Sequence, residues 1–175
     1  MPDSLSTPIE LFRARHAAWA RRPMRSSPHL SIKGGAGLSE DPACLDPLSE
    51  IVSDTAPFEV RLGNLAVFPD DERVLYLEVE SPGWMRLHRT LVDTIAQRTG
   101  AQMHPLEEAG WIPHVTLLRL TAEALEQREE ILAAAIRTGV PVNTAYTARI
   151  LRMECLHHRA DRWKPVHTFG LTGPR

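Results

Sequence analysis

Two short segments of this chain carry an imidazole and a hydroxyl two residues apart: His29-Leu30-Ser31 and His114-Val115-Thr116. On a strand, residues two apart share a face and sit roughly 6.5 to 7 Å from each other. Each segment would then present a proton carrier and a hydrogen-bond donor to one side. Histidine is the side chain whose ordinary pKa lies nearest neutrality, so a facing pair of imidazoles can take and give protons in one reaction. Two such strands side by side would surround a phosphate with two proton carriers and two hydroxyls, which fits an in-line phosphodiester displacement.

Chance has to be weighed. Eight histidines in a chain of ordinary Ser and Thr content yield about one such match by accident, and the chain has a third, His88-Arg89-Thr90. That one falls in a helical pattern, where residues two apart point about 200° away from each other, so it is set aside. The other two share more than the pattern, since both follow a proline and both alternate with aliphatic residues. A lone strand histidine is more often a structural residue than a catalyst; the matched pair reverses that weighting. His16, His104 and His167 lack chemical company and read as structural. His157-His158 reads as a hairpin end, because adjacent strand residues face opposite ways and form no metal pair.

The elements that must position the motifs follow from local signals. Thr7, Pro8 and Glu10 predict a helix over 8–22, stopped at Pro23. Residues 29–33 alternate as a strand ended by Gly34-Gly35, with Leu30 and Ile32 facing the core. A short helix over 46–53, strands over 58–68 and 73–80 around a turn at 69–72, and a helix from Pro82 to Gly100 come next. The second motif strand begins at His114, followed by a helix over 122–138, a strand over 144–155 and another near 166–171. The expected class is α+β. Strand, helix, strand, strand occurs twice, over 29–80 and 114–171, so we expect two pseudo-symmetric lobes of antiparallel sheet, helices on their outer faces and a central cleft between the motifs.

Composition narrows the function classes. The chain has 175 residues, a formal net charge of -2 and 43% hydrophobic residues, as expected of an ordinary globular protein without a field for gripping long nucleic acid. Residues 11–39 contain no acidic side chain but include Arg13, Arg15, Arg21, Arg22, Arg25 and Lys33, a patch compatible with a short RNA end. Cys44 and Cys155 form neither a zinc motif nor a disulfide framework, and no signal-peptide or membrane-spanning run is found, so a cytoplasmic setting is expected.

Pro28-His29-Leu30-Ser31-Ile32-Lys33-Gly34 and Pro113-His114-Val115-Thr116-Leu117-Leu118-Arg119 resemble the paired signatures of the 2H phosphoesterase superfamily. Within it they are most similar to the bacterial branch named for 2'-5' RNA ligases and RNA 2',3'-cyclic phosphodiesterases. The resemblance runs from about Leu11 to Leu171 and implies one two-lobed domain over 1–175. It implies His29 and His114 as the catalytic pair, Ser31 and Thr116 as phosphate-binding hydroxyls, and no metal or other cofactor. The substrate it implies is a nucleotide or short RNA end with a cyclic or 2'-linked phosphate; no membrane and no obligate protein partner are expected. Members of that family usually begin with a strand ahead of the first helix. Here only Met1 to Ser6 precede it, so the first lobe is expected to lack that edge strand, to borrow it, or to belong to a chain that begins earlier.

Three further substrate-binding candidates come from position. Lys33 alternates onto the face of His29; Arg119 alternates away from that of His114; Trp111, just before the second motif, offers a platform on which a base could stack. Two rival classes fit less well. A non-catalytic RNA-binding α+β module would expose aromatics on the strand face, where the first motif has His, Ser and Lys instead. A metal-dependent hydrolase using His157 or His158 with Glu154 and Asp161 has no ligand spacing to support it.

Overall fold

In a computed structural model the chain is described at residues 1–35, 37–68, 73–105, 107, 110–157 and 162–173, with the backbone alone described over 155–157 and 162–164. The expected turn at 69–72 and the residues His158 and Asp161 lie outside the described residues.

Apolar alternation builds a four-stranded antiparallel sheet. Its strands are β1 (Phe58–Val67), β2 (Val74–Glu80), β3 (His114–Arg119) and β4 (Thr144–Ala148), in the spatial order β3-β2-β1-β4. β5 (Ile150–His157) and β6 (Arg162–Gly170) form a second, two-stranded antiparallel sheet. One core cluster gathers Val60, Leu62, Leu75, Leu77, Val115 and Leu117 from the larger sheet, with Ile9 and Phe12 of helix α1 (Asp3–Arg15). A second cluster packs helix α2 (Pro42–Ser53) against α3 (Pro82–Thr99), burying Cys44, Leu48, Trp84, Leu87 and Leu91. This is an α+β fold, as its pattern of elements implied.

Several boundaries differ from those expected. α1 begins at Asp3 and carries Pro8 inside it, and it ends at Arg15, seven residues short of the expected 22. The chain leaves the helix because sheet-type bonds compete for it: Ala20 bridges Leu120, and the Arg21 amide donates to the Arg119 carbonyl at 2.7 Å. α2 begins at Pro42, capped by Asp41, whose carboxylate accepts from the Ala43 amide at 2.8 Å. The expected helix over 122–138 is two helices, α4 (Ala122–Glu126) and α5 (Arg128–Arg137), broken at Gln127. The expected strand over 144–155 is split at Arg149 into β4 and β5, which belong to different sheets. No helix among the described residues is long and apolar enough to cross a membrane.

Candidate active site

The first motif departs furthest from expectation. Residues 29–33 form no ladder; a single antiparallel bridge, Leu30 to Val115, joins them to β3. That bridge still fixes the register. In an antiparallel pair the flanking residues face each other, so this register sets His29 toward Thr116 and Ser31 toward His114. Val115 is fully buried and Leu30 packs against both core clusters. The four polar side chains therefore stand on the other face, in a two-by-two array.

Both imidazoles are held in the same way. His29 Nδ1 lies 2.8 Å from the Ser27 carbonyl, and His114 Nδ1 lies 2.8 Å from the Ile112 carbonyl, in each case two residues back along the chain. A carbonyl oxygen only accepts, so Nδ1 carries the hydrogen at both sites. The neutral form of each ring then keeps its lone pair on Nε2, and the charged form keeps a proton there. A proline between the carbonyl and the histidine, Pro28 or Pro113, fixes φ and makes the two turns alike.

His114 is the more enclosed of the two. Burial lowers its pKa, the positive charges of His29 and Arg119 lower it further, and the bond to the Ile112 carbonyl opposes them. Phe68 meets its ring edge-on with centroids 5.0 Å apart, Tyr76 does so at 5.6 Å, and those two aromatics stack on each other at 4.1 Å. The pairing of Tyr76 with Thr116 and of Glu78 with His114 puts Tyr76 on the motif face.

Arg119 is on that face too, contrary to simple alternation. β2 advances one residue, from Tyr76 to Leu75, while β3 advances two, from Thr116 to Leu118. The extra residue is Leu117, a β-bulge that reverses the alternation beyond it. Leu117 and Leu118 are both buried, and Arg119 returns to the side of Thr116. Arg13 satisfies the backbone there. Its guanidinium donates to the carbonyls of Thr116 at 2.6 Å, Leu117 at 3.0 Å and Ser26 at 2.9 Å. Burial pushes its pKa down to about 10. Arg13 is thus a strut between the segment leading into the first motif and the strand that carries the second, and no part of a solvated basic patch.

Lys33 and Trp111 are placed otherwise than as open ligands. The Lys33 ammonium pairs with the Glu107 carboxylate at 2.9 Å, both side chains being almost wholly buried. Burial raises the Glu107 pKa, but bonds from Lys33 and from the Gly34 and His104 amides outweigh it and hold the carboxyl below its ordinary range. Trp111 is half-buried, its ring centroid 5.2 Å from that of His88 and 6.4 Å from that of Trp84. A cavity of about 880 Å³ adjoins the first motif and is lined by His29, Ser31, Phe58, Trp84, Tyr146 and Met153 among others. Neither His114 nor Thr116 lines it.

The sequence reasoning missed Phe68, Tyr76, Glu107 and the bulge at Leu117, and it placed Arg13 in a basic patch rather than on the backbone of the motif segments. Only the alternation of β2, which puts Tyr76 and Glu78 on one face, was a signal available in advance.

Comparison with known proteins identifies the fold and the family. The crystal structure of TT0787 of Thermus thermophilus superposes with a TM-score of 0.67 at 17% sequence identity, covering 100% of this chain and 96% of that one. At that identity the likeness speaks for the fold. No curated protein matches the chain. The family model described as the 2'-5' RNA ligase superfamily matches residues 1–165. With that match spanning nearly the whole sequence, the chain belongs to the 2'-5' RNA ligase superfamily, a family of 2H phosphoesterases.

Proposed function

We propose that this phosphoesterase-family protein opens 2',3'-cyclic phosphates, or cleaves or joins 2'-5' phosphodiester links, at RNA ends or on nucleotides, by acid-base catalysis with His29 and His114 and without a metal ion. The observation that carries the reading is the matched fixation of the two rings. Each Nδ1 is tied to a carbonyl two residues back, which reserves both Nε2 atoms for proton transfer across one bridged pair of segments.

In the hydrolytic direction a water oxygen attacks phosphorus and the bond from phosphorus to one ribose oxygen breaks. His114, disposed toward its neutral form by burial and by the charge of His29, accepts the proton of that water on Nε2. His29 in its protonated form gives a proton to the departing ribose oxygen, so charge and protons balance. Each transfer is typically worth on the order of 10²- to 10⁴-fold in rate. Ser31 and Thr116 donate to the non-bridging oxygens, where negative charge grows. Arg119 adds positive charge from the same face. Lys33, engaged by Glu107, shapes the segment that carries His29. The Phe68–Tyr76 stack beside His114 is a more suitable base platform than Trp111, which packs against His88.

The test is hydrolysis of a 2',3'-cyclic mononucleotide, and of a short oligonucleotide with the same end, in excess chelator. Turnover is expected to persist. Complete loss in chelator with recovery on adding a divalent ion would overturn the mechanism, and the ratio of the two rates would show how much RNA the site reads.

A further inference from the structure

His88 belongs to the discarded third match, yet it is among the few buried polar side chains, with 3% of its surface exposed. It projects from α3 to the first motif. Its Nδ1 lies 2.6 Å from the Ile32 carbonyl, one residue beyond Ser31, and its Nε2 lies 3.2 Å from the Glu107 carbonyl. Both partners are acceptors, so the ring nitrogen that carries the hydrogen donates to the carbonyl beside it. The ring stacks on Trp84 at 5.0 Å and 9° and on Trp111 at 5.2 Å and 24°, which fixes its plane. Glu107, whose carbonyl faces the ring, pairs through its carboxylate with Lys33 at 2.9 Å.

The same few residues hold the next part of the segment. Glu107 Oε1 accepts from the Gly34 amide at 2.6 Å and from Lys33 Nζ at 2.9 Å. Residues 32, 33 and 34 are thus gripped in succession by His88 and Glu107. The grip matters because the His29 segment has one sheet bridge where β3 has a ladder with β2. With so little backbone pairing, side-chain bonds set where His29 and Ser31 stand.

We infer that His88, acting with Glu107, is a positioning residue that holds the His29 half of the candidate site in register with His114. It touches no substrate. The inference rests on the proposed function for its kinetic consequence, whereas its structural consequence can be read without any substrate. A misplacement of about 1 Å from a change outside the chemistry can cost on the order of 10²-fold in rate, so the grip should show in kcat more than in KM.

The experiment compares wild type with His88→Leu and His88→Asn, the latter keeping an N–H close to the position of Nδ1. Amide hydrogen exchange over residues 30–34 is measured alongside kcat and KM on a 2',3'-cyclic nucleotide. In His88→Leu, exchange over 30–34 should quicken while β1 and β2 stay protected. Its kcat should fall about 10-fold or more with KM changed less than about 3-fold, and His88→Asn should recover part of both effects. Unchanged exchange over 30–34 in His88→Leu, or an Asn variant no better than Leu in exchange, overturns the inference. If wild type turns over no cyclic phosphate, the proposed function fails, and the exchange comparison still decides the role of His88. Should the Leu variant not fold, the same comparison of His88→Asn with wild type decides it: near-wild-type protection over 30–34 supports the inference, and protection lost throughout the protein overturns it.

Discussion

His114 differs from His29 in what surrounds it, and the difference has a measurable consequence. Burial and the charges of His29 and Arg119 lower its pKa. A histidine whose folded pKa lies below its unfolded value is protonated first in the unfolded chain. Its contribution to stability is therefore lost as pH falls from the ordinary imidazole value, about 6.5, toward the lower folded value, and it does not change above that window. NMR titration of the wild type should place the His114 midpoint below about 6.5. Replacing His29 with alanine should move it upward, though not fully back, because burial is the larger cause. A midpoint unmoved by His29→Ala would mean that the two imidazoles do not sense each other. The motif residues were legible because their signal is local: an imidazole, a hydroxyl two residues on and a preceding proline. Phe68 and Tyr76 were not, since their approach to His114 depends on strand register, and the Lys33–Glu107 pair joins residues 74 positions apart.

α3 positions His88 and bears on the site from behind, and its seating depends on one close approach. A Cβ built on Gly83 would lie 2.5 Å from Phe58 Cβ and 2.6 Å from its Cγ. Those atoms are the root of the ring and cannot swing away. Gly83→Ala should therefore destabilise the protein by about 1 to 3 kcal/mol, the usual cost of overpacking, read as a lowered denaturant midpoint; a midpoint equal to that of the wild type would mean that α3 is not pressed against β1. The extent of α3 was legible in Ser81, Pro82 and Gly100: the serine hydroxyl accepts from the Trp84 amide at 3.2 Å, and the glycine adopts a left-handed φ of 65°. The end of α1 was not, because nothing before Pro23 in the local sequence announces that Ala20 will pair with Leu120. The bulge at Leu117 was hidden for a related reason. Its sequence, Leu117-Leu118, reads as an unbroken strand, and the extra residue is stabilised from outside the strand by Arg13.

At the scale of the whole molecule, the proposed chemistry depends on two segments with very different backbone pairing meeting at one bridge. β3 is locked into the four-stranded sheet; the His29 segment touches that sheet through Leu30 and is also held by Arg13 at Ser26, by His88 of α3 and by Glu107. The element order showed the α+β class and both motif segments, yet it overstated the first motif as a full strand, since alternation reports which way side chains face and not how many partners a backbone finds. The central claim is that these two segments bring His29 and His114 to a single phosphate. It is tested most directly by turnover of a 2',3'-cyclic nucleotide by wild type, His29→Ala, His114→Ala and the double variant, each checked by circular dichroism to be folded. Each single change should lower kcat by about 10²-fold or more, and the double change should cost far less than the product of the two losses, because the histidines act as a unit. A folded His29→Ala or His114→Ala variant with wild-type turnover would contradict it.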